Sequence, residues 1–180
     1  EEKGARVGLL VTRNFEQVLH LARSQTPGPL AGWIIMEKPD PLADLELTRG
    51  IPERINARGE VLTPIDEAAA REAVRELIDA GVESITVSLL HSYANPAHEQ
   101  RLKAIIRELD ADLPVSLSSE ILPEFREYER TLVTVMNAYV GPSMRNYLNN
   151  FEDKLKNIQF SPHVNIVRSD GGLMSVRRAA

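Results

Sequence analysis

Short apolar runs alternate with amphipathic stretches along the first two thirds of the chain. The runs consist mostly of apolar and small residues, as is typical of strands covered on both faces, and lie at 6–12, 84–90 and 114–118. The stretches between them repeat apolar residues at the spacing of a helix with one buried face, and lie at 12–24, 63–80 and 96–109. This alternation predicts an α/β fold with a mainly parallel sheet and flanking helices.

Residues that favour helix ends support these boundaries. Asn14 is suited to cap the first amphipathic stretch. Thr63, Pro64 and Asp66 supply a capping hydroxyl, a proline at the first helical position and a carboxylate in the first turn. Gly81 is expected to end the same helix, because glycine readily adopts the left-handed conformation that closes many helices.

Helical spacing dominates the chain after residue 123. The Gly141–Pro142 pair is expected to break it, because proline lacks an amide donor and clashes with the preceding turn. We therefore predict two helices, at 124–140 and 142–157. A domain change is expected within 140–163, with an α/β domain over 1–140 and a helical connection leading into a second domain over 141–180.

Composition and charge narrow the class of protein. The chain has 180 residues, a net charge of −5, 43% hydrophobic and 26% charged residues, which is typical of a soluble globular protein. Its basic residues are scattered, so no nucleic-acid surface is expected. The absence of cysteine excludes disulfides and thiolate chemistry. No run is long enough to cross a membrane and no signal peptide is recognised, so a cytoplasmic location is expected.

The two ends suggest a piece of a longer protein. Residue 1 is Glu rather than Met, and a short charged stretch leads directly into the first strand. Residues 175–180 read as the start of a helix. We therefore expect a fragment whose active site is incomplete.

A proline- and glycine-rich segment, residues 26–47, follows the first predicted helix. It contains the only tryptophan of the chain, Trp33, within a small apolar island. One interpretation is a long loop that packs this side chain on the core. The other is an insertion that contacts substrate or a partner, since loops of this length are uncommon without a role.

The turn Ser169-Asp170-Gly171-Gly172 follows a predicted strand at 164–167 and precedes a predicted helix. Backbone amides at such a turn can approach a phosphate, and glycine permits close contact. An ordinary strand-to-helix turn explains the same residues equally well. The chain has no G-x-G-x-x-G motif and no Walker lysine to support a phosphate site.

His91 follows the predicted strand at 84–90, at the strand end where ligands gather in open α/β sheets. His98 and Glu99 lie on the next helix, and the three side chains could meet a metal ion. Their spacing fits no established metal motif, and adjacent helical positions point about 100° apart. We favour helix capping and loop hydrogen bonds for them, and expect no metal site.

Charged residues alternate in sign from Glu124 to Arg130, ahead of an apolar helical stretch that carries Asn137. The usual interpretation of such charges is a solvated face with weak ion pairs. A polar side chain on a buried helix face needs hydrogen-bond partners, so Asn137 either locks the helix in place or faces a ligand. Glu127, Arg130, Asn137 and His91 are therefore candidate residues of a substrate cleft.

Seven ordered segments resemble the hydantoinase/oxoprolinase family and together extend over nearly the whole chain. They are Lys3–Phe15, Gly59–Asp66, Leu89–Glu99, Val115–Pro123, Glu127–Thr131, Asn137–Pro142 and Ser169–Met174. Such a series is far more specific than a single motif. The family includes N-methylhydantoinase A subunits, 5-oxoprolinase and subunits of acetone and acetophenone carboxylases.

The resemblance implies an actin-like ATPase architecture of the ribonuclease H type, with ATP and Mg²⁺ as cofactors of the parent protein. Such enzymes phosphorylate an amide or enolate oxygen, so the implied reaction is hydrolytic opening of a small cyclic amide, a hydantoin or 5-oxoproline. The alternatives are carboxylation of a small ketone and a non-catalytic subunit-assembly module. An oligomer with a hydantoinase B-like or carboxylase partner subunit is expected.

The chain also departs from the family pattern. The family's glycine- and threonine-rich phosphate-binding segment and its later Gly-Pro-Ala-Gly-Gly segment are both absent from the sequence. The segment 26–47 differs from the usual hydantoinase form, which leaves the carboxylase branch open. Of the family's nucleotide site only Ser169–Gly172 maps onto the chain. We therefore expect the chain alone neither to bind ATP tightly nor to turn over substrate.

Overall fold

A computed structural model describes residues 4–23, 40–158, 164–167 and 171–175. In chain order its elements are β1 (Val7–Thr12), α1 (Val18–Leu21), a 3₁₀ turn (Leu45–Leu47), β2 (Thr48–Ile51), β3 (Arg54–Ile55), β4 (Val61–Thr63), α2 (Glu67–Asp79), β5 (Ser84–Ser88), α3 (Ala97–Leu109), β6 (Val115–Leu117), α4 (Ser118–Ile121), α5 (Glu127–Asn157), β7 (Asn165–Val167) and β8 (Leu173–Ser175). Most of the segment 26–47, including Trp33, lies outside the described residues, and its two interpretations stay predictions.

Four parallel strands form the central sheet, in the order β2-β1-β5-β6. Every residue of β1 and β5 is buried, because helices cover both faces of the sheet. The register pairs Val7 with Ser84 and Val11 with Ser88, so the carboxyl ends of β1 and β5 lie side by side. The prediction of a mainly parallel sheet with flanking helices is confirmed.

Aliphatic clusters hold the helices on the two faces of the sheet. On one face, α2 and α3 contribute Leu77 and Leu102 to a cluster with Ile85 of β5, all without exposed surface. On the other face, α1 and α5 pack on β1 through side chains that include Leu19 and Val135. Burying one such side chain stabilises the fold by about 1.5–3 kcal/mol, so these clusters fix the sheet and its helices relative to one another.

The chain leaves the carboxyl ends of β1 and β5 in opposite directions. From β1 it continues through α1 to β2 on one side, and from β5 through α3 to β6 on the other. In open α/β sheets such a reversal opens a crevice beyond the carboxyl ends, and ligands bind there. The ends of β1 at Thr12 and β5 at Ser88 therefore mark the expected position of a site.

Two of the predicted helix starts are wrong. The stretch 12–24 forms only the short α1, because Asn14 has a φ of 71°, which is incompatible with a helix start at that position. The second helix begins after Asp66, whose side chain accepts a hydrogen bond from the Ala69 amide at 3.0 Å. Thr63 ends β4 instead of capping the helix.

The predicted break at Pro142 is also wrong, because α5 continues across it. Proline removes the amide that would bond to the carbonyl of Ala138. Ser84 Oγ of β5 donates to that carbonyl instead, at 3.1 Å. The amide of Ala5 donates to the next carbonyl, that of Tyr139, at 2.9 Å. Hydrogen bonds from the sheet side thus compensate for the missing helical bond.

The strand predicted at 164–167 is present as β7, but a strand, β8, rather than a helix directly follows Gly172. Ser175 ends β8, and the rest of the helix start predicted at 175–180 lies outside the described residues. β7 pairs antiparallel with β8, which begins directly after Gly172. Gly171 has a φ of 81°, a conformation that tight hairpin turns favour. Ser169 and Asp170 lie outside the described residues.

The long helix α5 has an exposed apolar side. Six side chains repeat along it at a spacing of three or four residues: Val133, Met136, Val140, Met144, Tyr147 and Phe151. The domain boundary expected near residue 140 falls within this helix and stays a prediction. Within the described ranges, no helix combines the length and apolar character that crossing a membrane requires.

Candidate functional site

Buried polar side chains from distant parts of the chain meet at the carboxyl ends of β1 and β5. Thr12 Oγ1 donates to Glu53 Oε1 at 2.5 Å and accepts the amide of Leu90 at 3.0 Å. The other carboxylate oxygen of Glu53 lies 2.7 Å from His98 Nδ1. Because a carboxylate only accepts hydrogen bonds, Nδ1 is the protonated nitrogen. The contacts join the end of β1, the connection after β2, and α3.

A second buried group continues this network towards β6. Glu99 Oε1 accepts from the Leu89 amide at 2.9 Å and from Ser118 Oγ at 2.6 Å. Glu99 Oε2 accepts from the Ser119 amide at 2.9 Å. Arg130 Nε donates to Ser118 Oγ at 3.1 Å, and its Nη2 donates to the Leu89 carbonyl at 2.9 Å. The carboxylate and the guanidinium thus share Ser118 and the start of the β5–α3 connection.

We call the two groups together the polar base. Its members are Thr12, Glu53, His98, Glu99, Ser118 and Arg130, none of them more than 7% exposed. Buried polar groups are costly unless their hydrogen-bonding capacity is met. The hydrogen bonds described above satisfy much of the capacity of these six side chains. The polar base therefore holds the loops after β1 and β5 in one arrangement.

Arg130 contradicts the expectation of a solvated charged face, because it is only 1% exposed. Its remaining guanidinium nitrogen, Nη1, donates to the Glu124 carbonyl. The guanidinium also lies 5.6 Å from the ring centre of Tyr93, a cation–π distance. Burial lowers the pKa of Arg130, and the charge of Glu99 opposes this effect. Arginine stays protonated under such conditions, so the base contains a buried positive charge.

More accessible side chains surround the polar base, and we call them the rim: Phe15, Arg54, His91, Tyr93 and Glu127. The Arg54 guanidinium lies 5.5 Å from the ring centre of Phe15. The rings of His91 and Tyr93 meet edge to face at 5.9 Å. Phe15 and Glu127 line a small cleft together with three buried side chains, Thr12, Arg130 and Thr131.

His91 combines an unusual backbone conformation with a perturbed imidazole. Its φ is 56°, in the left-handed region that non-glycine residues seldom occupy. Burial lowers the pKa of His91, and the charges of Arg54 and Arg130 lower it further, while Glu127 and Glu53 oppose them. Residues held in such conformations cluster at functional sites. The lowered pKa favours the neutral imidazole at neutral pH.

The structure brings three of the four candidate cleft residues together. His91, Glu127 and Arg130 interact electrostatically with one another at the carboxyl edge of the sheet. Asn137 lies about two turns further along α5 and donates to Ser116 Oγ at 3.0 Å. Its side chain is exposed, so the expectation that it lies on a buried helix face is wrong.

Sequence reasoning missed Thr12, Glu53 and Arg54. Thr12 ends β1, and the other two follow β2, so all three lie at or beyond the carboxyl ends of neighbouring parallel strands. Such ends converge on one edge of the sheet. Collecting polar residues at every predicted strand end would have found Thr12, but not Glu53 and Arg54, because β2 was not predicted.

The described residues contain no cluster of metal-binding side chains. Within the described ranges, no group of three or more His, Asp or Glu side chains could hold a metal ion. His98 and Glu99 make hydrogen bonds with Glu53 and loop amides, as favoured from the sequence. Gly171 has open space where a Cβ would lie, and the assignment of Ser169–Gly172 to a phosphate turn stays a prediction.

Comparison with known proteins identifies the chain's relatives. Models of the hydantoinase/oxoprolinase N-terminal region and of hydantoinase/oxoprolinase match residues 1–110 and 130–180. The acetophenone carboxylase gamma subunit of Aromatoleum aromaticum is 34% identical, over 96% of this chain and 25% of its own length.

Two solved structures share the fold. Nucleotide-free acetone carboxylase matches 97% of this chain and 26% of its own, with a TM-score of 0.84 and 30% identity. The ATP-dependent caprolactamase from Pseudomonas jessenii matches 94% of this chain and 25% of its own, with a TM-score of 0.83 and 30% identity. The chain thus spans about a quarter of the length of the relatives it matches. It belongs to the hydantoinase/oxoprolinase family.

Proposed function

We propose that the protein containing this chain is a cytoplasmic, ATP-dependent hydrolase that opens a small cyclic amide, such as a hydantoin or 5-oxoproline. In this proposal the chain contributes one wall of the substrate cleft, formed by the rim and supported by the polar base. The observation that carries it is a strained, neutral histidine beside two arginines at the point where the strand order reverses. Similarity to the ATP-dependent caprolactamase favours amide chemistry.

The chemistry of the rim suits a polarised amide. Ring opening places negative charge on the amide oxygen and delivers a proton to the leaving nitrogen. A cation such as Arg54 stabilises the charge, and a neutral imidazole such as His91 can accept and return a proton. In the parent protein, ATP with Mg²⁺ would activate the amide by phosphorylation. Ser169–Gly172 stays a candidate for part of that nucleotide site.

Carboxylation of a small ketone is the second candidate. The acetophenone carboxylase gamma subunit and acetone carboxylase are both similar to the chain over nearly all its length. An enolate, like an activated amide, carries negative charge on oxygen, so the same rim would suit it. The two candidates therefore differ in substrate rather than in the use made of the rim.

A subunit-assembly role is the third candidate, and the apolar side of α5 favours it. The six exposed side chains from Val133 to Phe151 would be covered by a hydantoinase B-like or carboxylase partner subunit. In this candidate, replacing Met136 and Tyr147 with Glu abolishes co-purification with the partner and leaves ADP release by the isolated subunit unchanged. Loss of ADP release with assembly intact would contradict it.

The decisive experiment measures substrate-dependent ADP release by the full-length protein with its partner subunit. The hydrolase predicts stimulation by 5-oxoproline, hydantoin or caprolactam without bicarbonate. The carboxylase predicts stimulation by acetone or acetophenone only when bicarbonate is present. ADP release that no cyclic amide stimulates would contradict the first proposal.

A further inference from the structure

We propose that the apolar side of α5 is covered by the same polypeptide, through the rest of the domain to which most of this helix belongs. Helix α5 would then lie between two domains, with the four-stranded sheet on one side and the second domain on the other. This cover is independent of the proposed reaction, because it concerns a surface and its occupant rather than a substrate. It differs from the subunit-assembly candidate, in which a partner subunit covers the same side chains.

One side of α5 faces the sheet, and the apolar side faces away from it. Val135 and Ala138 are at most 3% exposed and share an aliphatic cluster with side chains of β1. Successive helical positions are turned by about 100°, which places Val133 and Val140 about 140–160° around the helix from Val135. The six side chains of the apolar side are 38–64% exposed, so none of the described elements covers them.

The direction of α5 along the sheet is fixed by two contacts with β5. Thr131 Oγ1 lies 2.7 Å from the hydroxyl of Ser88, at the carboxyl end of the strand. The carbonyl of Ala138 accepts from Ser84, at the amino end of the same strand. The helix therefore runs antiparallel to β5 and reaches the amino edge of the sheet within its first half.

The second half of α5 continues beyond that edge. Residues 140–157 extend for about 27 Å, and of these described residues only Leu148 is buried. The rings of Tyr147 and Phe151 stack at 6.5 Å between their centres and are both exposed. A helix of this length is only marginally stable in water without tertiary packing. An exposed apolar surface of this extent therefore indicates an interaction site.

The family match indicates which part of the protein covers this site. The model of hydantoinase/oxoprolinase begins at residue 130, within α5, so most of the helix belongs to the second domain. The chain covers 25–26% of the relatives compared above, so a parent protein of similar length has ample further sequence to complete that domain. A helix packs its apolar side into the core of its own domain, which favours the same polypeptide over a partner subunit or a second copy.

Methionine oxidation in the unmodified proteins tests the proposal, because Met136 and Met144 both lie on the apolar side. Hydrogen peroxide converts an accessible methionine to the sulfoxide, and mass spectrometry of the peptides gives the rate at each position. The rates are compared in the 180-residue chain, the full-length subunit alone and the subunit with its partner. We expect both methionines to react at least about tenfold more slowly in the full-length subunit alone than in the 180-residue chain.

Arg75→Met supplies the matched control, because Arg75 is an exposed position of α2 on the other face of the sheet. Its methionine should react at the same rate in all three samples. Slowing at position 75 equal to that at 136 and 144 would overturn the proposal, since the apolar side would then have no cover of its own.

Three further results would also overturn it. Slow oxidation already in the 180-residue chain would mean that another segment of this chain or a second copy covers the apolar side. Slow oxidation only after addition of the partner would assign the cover to the partner subunit. Fast oxidation in every sample would mean that the surface is not covered. None of these results depends on ATP or substrate, so a different reaction of the parent protein would leave the test unaffected.

A pair of variants checks the same surface through stability. Tyr147→Glu should lower the unfolding temperature of the full-length subunit and leave that of the 180-residue chain unchanged, because the new charge is buried only where the second domain is present. Asn146→Glu is the control, an exposed position of α5 about 100° away around the helix, and should change neither. Equal unfolding temperatures of the two full-length variants would contradict the proposal.

Discussion

At the scale of single residues, the buried guanidinium of Arg130 organises the carboxyl edge of the sheet. It connects α5 to α4 through Ser118 and to the loop after β5 through the Leu89 carbonyl. A charge with so little exposure is tolerated only because Glu99 and several acceptors replace its lost hydration. Removing the guanidinium would leave Glu99 buried without a compensating charge.

We therefore expect Arg130→Met to lower the free energy of unfolding by about 3–5 kcal/mol, as is typical when one partner of a buried ion pair is removed. Urea denaturation of the chain measures the effect. Arg126→Met, an exposed position on the same segment, should change stability by less than about 0.5 kcal/mol. Similar stabilities of the two variants would contradict the importance of the buried charge.

The perturbed imidazole of His91 makes a testable contribution to pH dependence. Its pKa in the folded chain lies below the ordinary value of 6.5. Between these two values the unfolded chain binds more protons, so the folded chain loses stability as the pH falls through that window. His91→Gln should remove this part of the slope, measured as the difference between wild-type and variant unfolding free energies across pH. An unchanged slope in the variant would contradict a lowered pKa.

At the scale of elements, α5 shows how a helix tolerates an internal proline. The Ala138 carbonyl, which lacks its helical partner, accepts a hydrogen bond from Ser84 Oγ of β5. The Tyr139 carbonyl accepts one from the amide of Ala5, which precedes β1. A proline normally breaks a helix, but here the sheet against which the helix packs replaces the lost helical hydrogen bond. The same contacts fix the position of α5 on β1 and β5.

A double-mutant cycle tests this compensation. Ser84→Ala should cost about 1–2 kcal/mol, because it leaves the buried Ala138 carbonyl unpaired. In a Pro142→Ala background the new amide can bond to that carbonyl, so the same substitution should cost less, with a coupling of at least about 0.5 kcal/mol. Unfolding free energies of the four proteins give the coupling. Strict additivity would show that the two groups do not compete for one carbonyl.

At the scale of the whole molecule, strands were easier to predict than helix ends. The apolar runs of β1 and β5 are visible in the sequence because both faces of a central parallel strand are buried. The short α1 depends on the positive φ of Asn14. The unbroken α5 depends on hydrogen bonds from Ser84 and Ala5 to its carbonyls, which local patterns do not contain. His91 could be identified from its place after a strand. Glu53 could not, because its partners lie 41 and 45 residues away.

The chain spans about a quarter of the length of the relatives compared above, and this bears on its affinity for ATP. Only Ser169–Gly172 maps onto the family's nucleotide site, and the described residues contain no metal-binding cluster. Calorimetry should therefore detect no tight binding of ATP to the 180-residue chain. A nanomolar affinity would contradict this expectation. It would also place a complete nucleotide site within these residues.

We propose above that the carboxyl edge of the four-stranded sheet faces the substrate of an ATP-dependent enzyme. The most direct test of this proposal is the kcat/KM for cyclic-amide-dependent ADP release by full-length protein carrying His91→Asn, since asparagine tolerates the positive φ of that position. We expect a decrease of about 100-fold or more, typical of losing a general acid or base, with an unchanged unfolding transition. Wild-type kcat/KM in a folded His91→Asn protein would contradict it.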